Sequence, residues 1–497
     1  TTLFRSKQGI NMSVKYFLVV LFLITCVLLN AQVFDYIVAQ DGSGTDLTIS
    51  SAINKCPDNV RKLIFVKKGT YNEKILIGSH SITSNKKISL IGEDAENTII
   101  VYDDYNGKTI TYDGRSVTSG TPQSATFTVN ATDFYAENIT IKNTYTAKQA
   151  VALYNVADRQ TFKNCKLIGY QDTHYLKKGR RYYFYKTYIE GAVDYICAGG
   201  TTLFDSCTLH TIRDGGYLTA PEDITSYTTV GNTKYYYGFI FRNCTLTSPA
   251  GTSYYLGRPW QGTSSSVFIS CSMTNVKNAG WYTSGNSTTD QSTFFAEYNS
   301  KDENGSLINT TSRVPWSFQL AKDTVEKYYT TDKTFNFIST TYNPVSLIQS
   351  PETPTISGIS DGQLLINELT GIKGYILFKN KNAIAFSVNN TFDMNGISMD
   401  NNAVFYVKSV GTNGNLSDSS NEIGLTSGIS SIESTYFKIV NKKLVFREKT
   451  EVQLYTSDGK LLQHSKSHTI DLSKYKSGNF ILKMTQPGKS LTVKFGT

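Results

Sequence analysis

Apolar side chains in this chain fall into strand-length runs, and one six-residue pattern of aromatic, Cys and aliphatic positions returns again and again. Phe162-Lys-Asn-Cys165-Lys-Leu167 recurs as Phe204-Asp-Ser-Cys207-Thr-Leu209, Phe241-Arg-Asn-Cys244-Thr-Leu246 and Phe268-Ile-Ser-Cys271-Ser-Met273. Looser copies at Phe134–Ile139 and Phe184–Ile189 keep an aromatic first and Ile sixth, and the copies begin 28, 22, 20, 37 and 27 residues apart. Such spacing suits short strands separated by turns, one rung per repeat, with the longer intervals holding loops that leave the stack. The pattern therefore predicts an all-β chain whose main part is a right-handed parallel β-helix from about Val33 to Tyr342. The aromatic, the Cys and the final aliphatic residue should stack in interior ladders, which makes the four repeat cysteines buried free thiols. Disulfides between neighbouring rungs are the competing arrangement, because stacked strands lie close together.

Further along, Pro344, Pro351 and Pro354 mark a linker. Alternating runs such as Gly374-Tyr-Ile-Leu-Phe-Lys and Ala403-Val-Phe-Tyr-Val-Lys then predict a small fibronectin-type or immunoglobulin-like β module over 351–426. After Ser427-Gly428, Val452-Gln-Leu-Tyr and Leu461-Leu462 flank an Asp458-Gly459 turn. Phe480-Ile-Leu-Lys and Leu491-Thr-Val-Lys-Phe flank Pro487-Gly488. These two hairpins predict a last β module over 431–497. At the other end, Lys15 precedes the uncharged apolar run Tyr16–Leu29, which reads as a secretory signal with Met12 as the start and cleavage after Ala31. A lipoprotein signal ending at Cys26 is the rival reading. The organisation expected is thus 1–31 extension and signal, 32–345 β-helix, 351–426 middle module and 431–497 terminal module.

Composition agrees with the strand reading: 33 Tyr and only 10 Pro in 497 residues favour pleated structure and few long helices. The net charge of +9 is scattered over the chain, which argues against nucleic-acid binding and is compatible with an anionic substrate. Beyond the signal six cysteines remain, an even number that permits disulfides in an exported chain. With no C-x-x-C pair, the sequence offers no metal site.

Chemistry concentrates inside the repeat region. Gly169-Tyr-Gln171-Asp172-Thr-His-Tyr175, Gly191-Ala-Val-Asp194-Tyr-Ile and Tyr255-Leu-Gly-Arg258-Pro-Trp260 follow one another, preceded by Gly69-Thr-Tyr71-Asn-Glu73 and Gln149-Ala-Val-Ala-Leu153. Asp172 and Asp194 are 22 residues apart, about one rung, so the coil can set both carboxyls on one outer face. Two neighbouring carboxyls resist ionising together, which leaves an acid beside a base.

In kind and order these five motifs resemble the pectin methylesterases, over roughly Val33 to Trp316. The resemblance implies hydrolysis of the C6 methyl esters of homogalacturonan by a monomer without metal or cofactor. By the same resemblance, Asp194 is the nucleophile and Asp172 the acid that protonates methanol and then activates water. Gln149 and Gln171 become oxyanion donors, suited because a neutral amide stabilises negative charge without titrating. Arg258 holds Asp194, and Trp260 packs on a sugar ring. Thr121, Tyr175 and Val193 are further substrate-binding positions. The terminal module resembles the sorting domains of the type IX secretion system, which implies the secretion machinery as a partner and a secreted or surface location; a carbohydrate-binding appendage is the other reading.

His174 stands where the family has Leu, and Cys197 where an aromatic lines the groove. We read His174 as a neighbour perturbing Asp172, since no Gly-x-Ser-x-Gly elbow makes it part of a serine triad. Lys177, Lys178, Arg180 and Arg181 form a basic turn that either attracts galacturonate or is merely solvated. Tyr71 and Glu73 read as structural. Rival functions are a thioesterase using the same aspartates, a lyase or polygalacturonase on the same scaffold, and a pectin-binding surface protein without activity. Missing calcium-type acidic clusters and Gly-His-Gly count against the lyase and the polygalacturonase.

Overall fold

The computed structural model describes residues 32–79, 81–284, 290, 292–337, 340–398, 403–424, 437–440, 442–456, 459–475, 479–486 and 489–496. The signal-peptide reading, the Ser427-Gly428 junction, Asp458 and the Pro487-Gly488 turn lie outside these residues.

Three long parallel sheets of eleven, eight and seven strands wind together into a parallel β-helix. The repeat explains the winding. Ala136, Phe162, Phe184, Phe204, Phe241 and Phe268 are in register along the first sheet. From Phe162 onward their rings stack at centroid distances of 4.8, 5.3, 4.7 and 4.4 Å. Ile141, Leu167, Ile189, Leu209, Leu246 and Met273 form the matching row of the second sheet. Between the two rows the chain turns on one left-handed residue per rung: Asn164, Lys186, Ser206, Asn243 and Ser270 have φ of 50°, 49°, 56°, 53° and 52°. Asn tolerates that region because its short polar side chain bonds locally, which accounts for the Asn or Ser before each repeat Cys.

Cys165, Cys207, Cys244 and Cys271 are free and buried. Their thiols donate weakly to backbone carbonyls, as in Cys207 to Phe184 at 3.4 Å and Cys244 to Phe204 at 3.3 Å. Small apolar thiols with a weak donor fill this inner corner, where a hydroxyl would need a stronger partner. One looser repeat is displaced from the expectation. The register pairs Ala136, and not Phe134, with Phe162, yet the Phe134 ring still packs on that of Phe162 at 5.7 Å and meets Phe127 edge-on at 5.8 Å.

Past the last rungs, helices Lys322–Tyr328, Thr331–Phe335 and Pro344–Ile348 cover the outside of the first sheet. Their Tyr329 and Phe335, with Tyr342, join a buried cluster with Tyr183, Leu203, Ile240 and Val267. Pro344 thus opens a short helix where a linker was expected, because its missing N–H costs nothing in a first turn.

Residues from Ile356 to Gly424 form a three-stranded and a four-stranded antiparallel sheet around a shared core of Leu364, Ile366, Leu377, Phe392, Phe405 and Val407. This two-sheet module is docked on the β-helix. Phe34, Phe65, Ile91 and Tyr135 pack with its Ile376, Phe378, Val410 and Leu416, and the Glu93 carboxylate accepts from Ala383 N at 2.5 Å. Residues Phe437 to Gly496 form a separate five-stranded antiparallel sheet with its own core. The two hairpins read from sequence pair there, Leu454 with Gln463 and Phe480 with Phe495.

Candidate active site

On the outer face of the third sheet the strands are extended by single parallel bridges that join Gln149 to Gln171 and Gln171 to Val193. The next residue on two of these rungs is an aspartate, and both aspartates are left-handed, Asp172 at φ 61° and Asp194 at 51°. Asp172 N bonds the Val193 carbonyl at 3.1 Å, which locks the rungs together at this bend. The two carboxyls therefore lie one rung apart, each nearly buried at 6% and 4% exposure.

Their surroundings differ. Arg258 grips Asp194 with both edges of its fork, Nε to Oδ1 at 2.8 Å and Nη2 to Oδ2 at 2.6 Å. The guanidinium itself sits over the Tyr217 ring at 5.6 Å. Asp172 has no such partner. Burial, and next the negative charge of Asp194, push its pKa up to about 7, against the opposing pull of Arg258 and of a hydrogen bond from Gln149. One carboxyl is paired as an anion while its neighbour is held near neutrality, which is the arrangement a nucleophile and a proton donor require.

Gln149 is oriented by its own carbonyl. Asn106 Nδ2 donates to Gln149 Oε1 at 2.5 Å and Thr121 Oγ1 donates to the same oxygen at 3.1 Å. With both acceptor directions occupied, the amide N–H groups are left to face Asp172. Thr121, expected to touch substrate, thus spends its hydroxyl on Gln149. Gln171 lies in the row between Gln149 and Val193. Tyr175 stands edge-on to Tyr154 at 5.3 Å and is in register with Cys197. Trp260 is exposed, two residues beyond Arg258.

Two sequence expectations are corrected. His174 is fully buried, its Nε2 bonded to Asn155 Oδ1 at 2.7 Å and its ring 4.7 Å from Phe184. It points into the coil, and burial lowers its pKa to about 3, so it does not act on Asp172. Arg181 is not part of an exposed basic turn. It is 1% exposed and bonds Asp158 Oδ2 at 2.5 Å and the Phe335 carbonyl at 3.0 Å, tying the covering helices to the coil. Glu73 is structural as read: its carboxylate accepts from Ile49 N and Ser50 N at 2.8 and 2.9 Å, capping helix Ile49–Lys55.

Several site residues escaped the sequence reading. Asn106 comes from a loop two rungs away, and no motif marks it. Tyr217 could have been found by carrying the row forward, since it is in register with Val193. With Tyr255 and Tyr282 it forms an aromatic group at centroid distances of 5.1 to 5.7 Å.

Known proteins match this coil. The pectinesterase family model covers residues 35–339, which is the β-helix with the first two of its covering helices. The chain belongs to the pectinesterase family. Among pectinesterases, "Pectinesterase 31" of Arabidopsis thaliana is 32% identical over 294 residues, 58% of this chain and 87% of that protein. "Putative pectinesterase 11" of the same plant is 34% identical over 302 residues, 59% of this chain and 77% of its own length. Of solved pectinesterase structures, pectin methylesterase from carrot superposes with a TM-score of 0.51 at 27% identity, covering 60% of this chain and 92% of its own. Pectin methylesterase PemA from Erwinia chrysanthemi gives 0.50 at 27% identity over 62% and 99%. A pectin methylesterase in complex with a hexasaccharide gives 0.50 at 28% identity over 62% and 98%. The pectinesterase match ends before the middle module.

Proposed function

We propose that this protein hydrolyses the C6 methyl esters of homogalacturonan to free carboxylates and methanol. The observation that carries the reading is the unequal carboxyl pair: Asp194 ion-paired to Arg258, and Asp172 one rung away with its pKa raised to about 7. Asp194 attacks the ester carbonyl, and the amides of Gln149 and Gln171 receive the developing oxyanion. Asp172 protonates the departing methanol. As a carboxylate it then takes a proton from water, which attacks the acyl intermediate and frees Asp194. Trp260, Tyr175 and Val193 contact the polymer around the reacting unit. No step calls for a metal or a cofactor.

The same reading makes 32–345 the catalytic domain, 351–426 an accessory module and 431–497 a sorting domain through which a monomeric enzyme reaches the outside of the cell. Methanol release from highly methylated pectin tests the activity: the wild type liberates methanol and Asp194→Ala does not, whereas undiminished turnover in that variant removes Asp194 as nucleophile. Deleting 431–497 tests the sorting role, since the truncated protein should be retained inside the cell envelope and normal export would refute it.

A further inference from the structure

Gln149 is held at its side-chain carbonyl by Asn106 and Thr121, and its main-chain carbonyl also accepts from Asn106 N at 2.9 Å. Three separate segments, 104–106, 121–124 and 149–151, therefore meet at one oxyanion amide. An amide placed this way is aimed only as well as the segments are tied to one another, because catalytic geometry fails over small displacements.

Asn143 ties them. It ends strand Thr140–Asn143 and is 2% exposed. Its Nδ2 donates to the carbonyls of Asp104 at 2.9 Å, Val151 at 3.0 Å and Ser124 at 3.3 Å. One carbonyl comes from each segment: two residues before Asn106, two after Gln149 and three after Thr121. With two hydrogens for three acceptors, one hydrogen is shared. Tyr145 N donates to Asn143 Oδ1 at 3.0 Å, which fixes the way the amide points. An Asn serving its own bend needs that last bond alone, so the three bonds to other segments are surplus to the local turn.

Two neighbours reinforce the same tie. Ser124 Oγ donates to the Thr121 carbonyl at 2.6 Å and accepts from Val151 N at 3.1 Å, joining the second segment to the third. Lys74 Nζ pairs with the Asp104 carboxylate and donates to the Gln123 carbonyl at 2.8 Å, joining the first to the second.

We propose that Asn143 is a positioning residue for the hydrolysis: through three backbone carbonyls it sets the spacing of the segments that carry Asn106, Thr121 and Gln149, and so aims the Gln149 amide at the developing oxyanion. This inference rests on the esterase reading above. The bonds of the Asn143 side chain all go to backbone groups, so it acts on the reaction through the segments it joins.

A double-mutant cycle on methanol release from highly methylated pectin tests it. Asn143→Ala lowers kcat about tenfold or more, the scale of one misaligned oxyanion donor, and leaves KM within about twofold. In a Gln149→Ala background, where no amide remains to be aimed, the same substitution has little further effect on kcat. Ser124→Ala loosens the same tie by one hydroxyl and shows the same dependence on Gln149, so the test stands if Asn143→Ala does not fold. Near-ultraviolet circular dichroism at the assay temperature confirms that each variant compared is folded. A loss of kcat equal in both backgrounds, or a change confined to KM, overturns the proposal and leaves Asn143 a structural residue. A wild type that releases no methanol overturns the esterase reading instead, and this inference with it.

Discussion

Arg258 meets Asp194 through two parallel hydrogen bonds of 2.8 and 2.6 Å, a fork on a carboxylate that fixes both the position and the plane of the acid. A lysine offers a point charge without that geometry. Arg258→Lys should therefore lower kcat about 100-fold, the scale on which small misplacements of reacting groups are felt. Methanol-release kinetics check it, and a lysine variant as fast as wild type would show that charge suffices.

Asn106 holds the Gln149 carbonyl at 2.5 Å and also donates to Thr121 Oγ1, the second donor to that carbonyl, at 3.2 Å. Asn106→Ala frees that amide to rotate, so kcat should fall by about ten- to a hundredfold through loss of one aligned oxyanion donor. KM for pectin should stay nearly constant, because Asn106 positions a donor and does not hold the sugar. A change confined to KM would assign Asn106 to substrate binding.

The middle module covers apolar surface that belongs to the β-helix. Phe34, Phe65, Ile91 and Tyr135 are buried beneath Ile376, Phe378 and Leu416, and Leu416 N donates to the Glu137 carboxylate at 3.3 Å. A chain truncated at residue 350 uncovers this patch and should aggregate or lose several degrees in Tm. Phe378→Ala in the full chain should cost about 3 kcal/mol of stability, as for other buried aromatics cut to alanine. Thermal unfolding of the two proteins decides, and a truncated chain as soluble and stable as the full one would make the docking incidental.

Asp172 affects stability as well as rate. Its pKa is raised in the folded protein, so between about pH 4, where the unfolded chain ionises, and about 7, the folded state binds the extra proton and stability falls as pH rises. Above that window the ionised, buried carboxyl has its full destabilising effect. Asp172→Asn should therefore gain stability relative to wild type as pH rises through this range, by a few kcal/mol at pH 8. Denaturant melts at pH 4.5 and 8 measure it, and a pH-independent difference would contradict the assignment.

The coil was legible because its repeat is local: one aromatic, one left-handed Asn or Ser, one Cys and one aliphatic residue suffice to define a rung. The aspartates were legible for the same reason, each lying in a short contiguous motif. Inward or outward direction was harder to read, since each left-handed residue resets the alternation of the strand. Asp172 does so at φ 61°, and that is how His174, two residues on, comes to face the interior. The same irregularity hid the two-residue offset at Phe134. Contacts between distant segments, such as Asn106 with Gln149, Arg181 with Phe335 and Glu93 with Ala383, leave no trace in any local pattern.

The claim on which the mechanism turns is that Asp172 is kept protonated near neutrality beside an ion-paired Asp194. Carbon-13 NMR titration of the side-chain carboxyls, with Asp172 assigned by its loss in Asp172→Asn, measures this directly. The Asp172 carboxyl should titrate near pH 7, as burial and the neighbouring charge require, and should move downward in Asp194→Asn, where that charge is gone. An Asp172 that titrates near pH 4 in the wild type, as an ordinary aspartate does, would contradict the account.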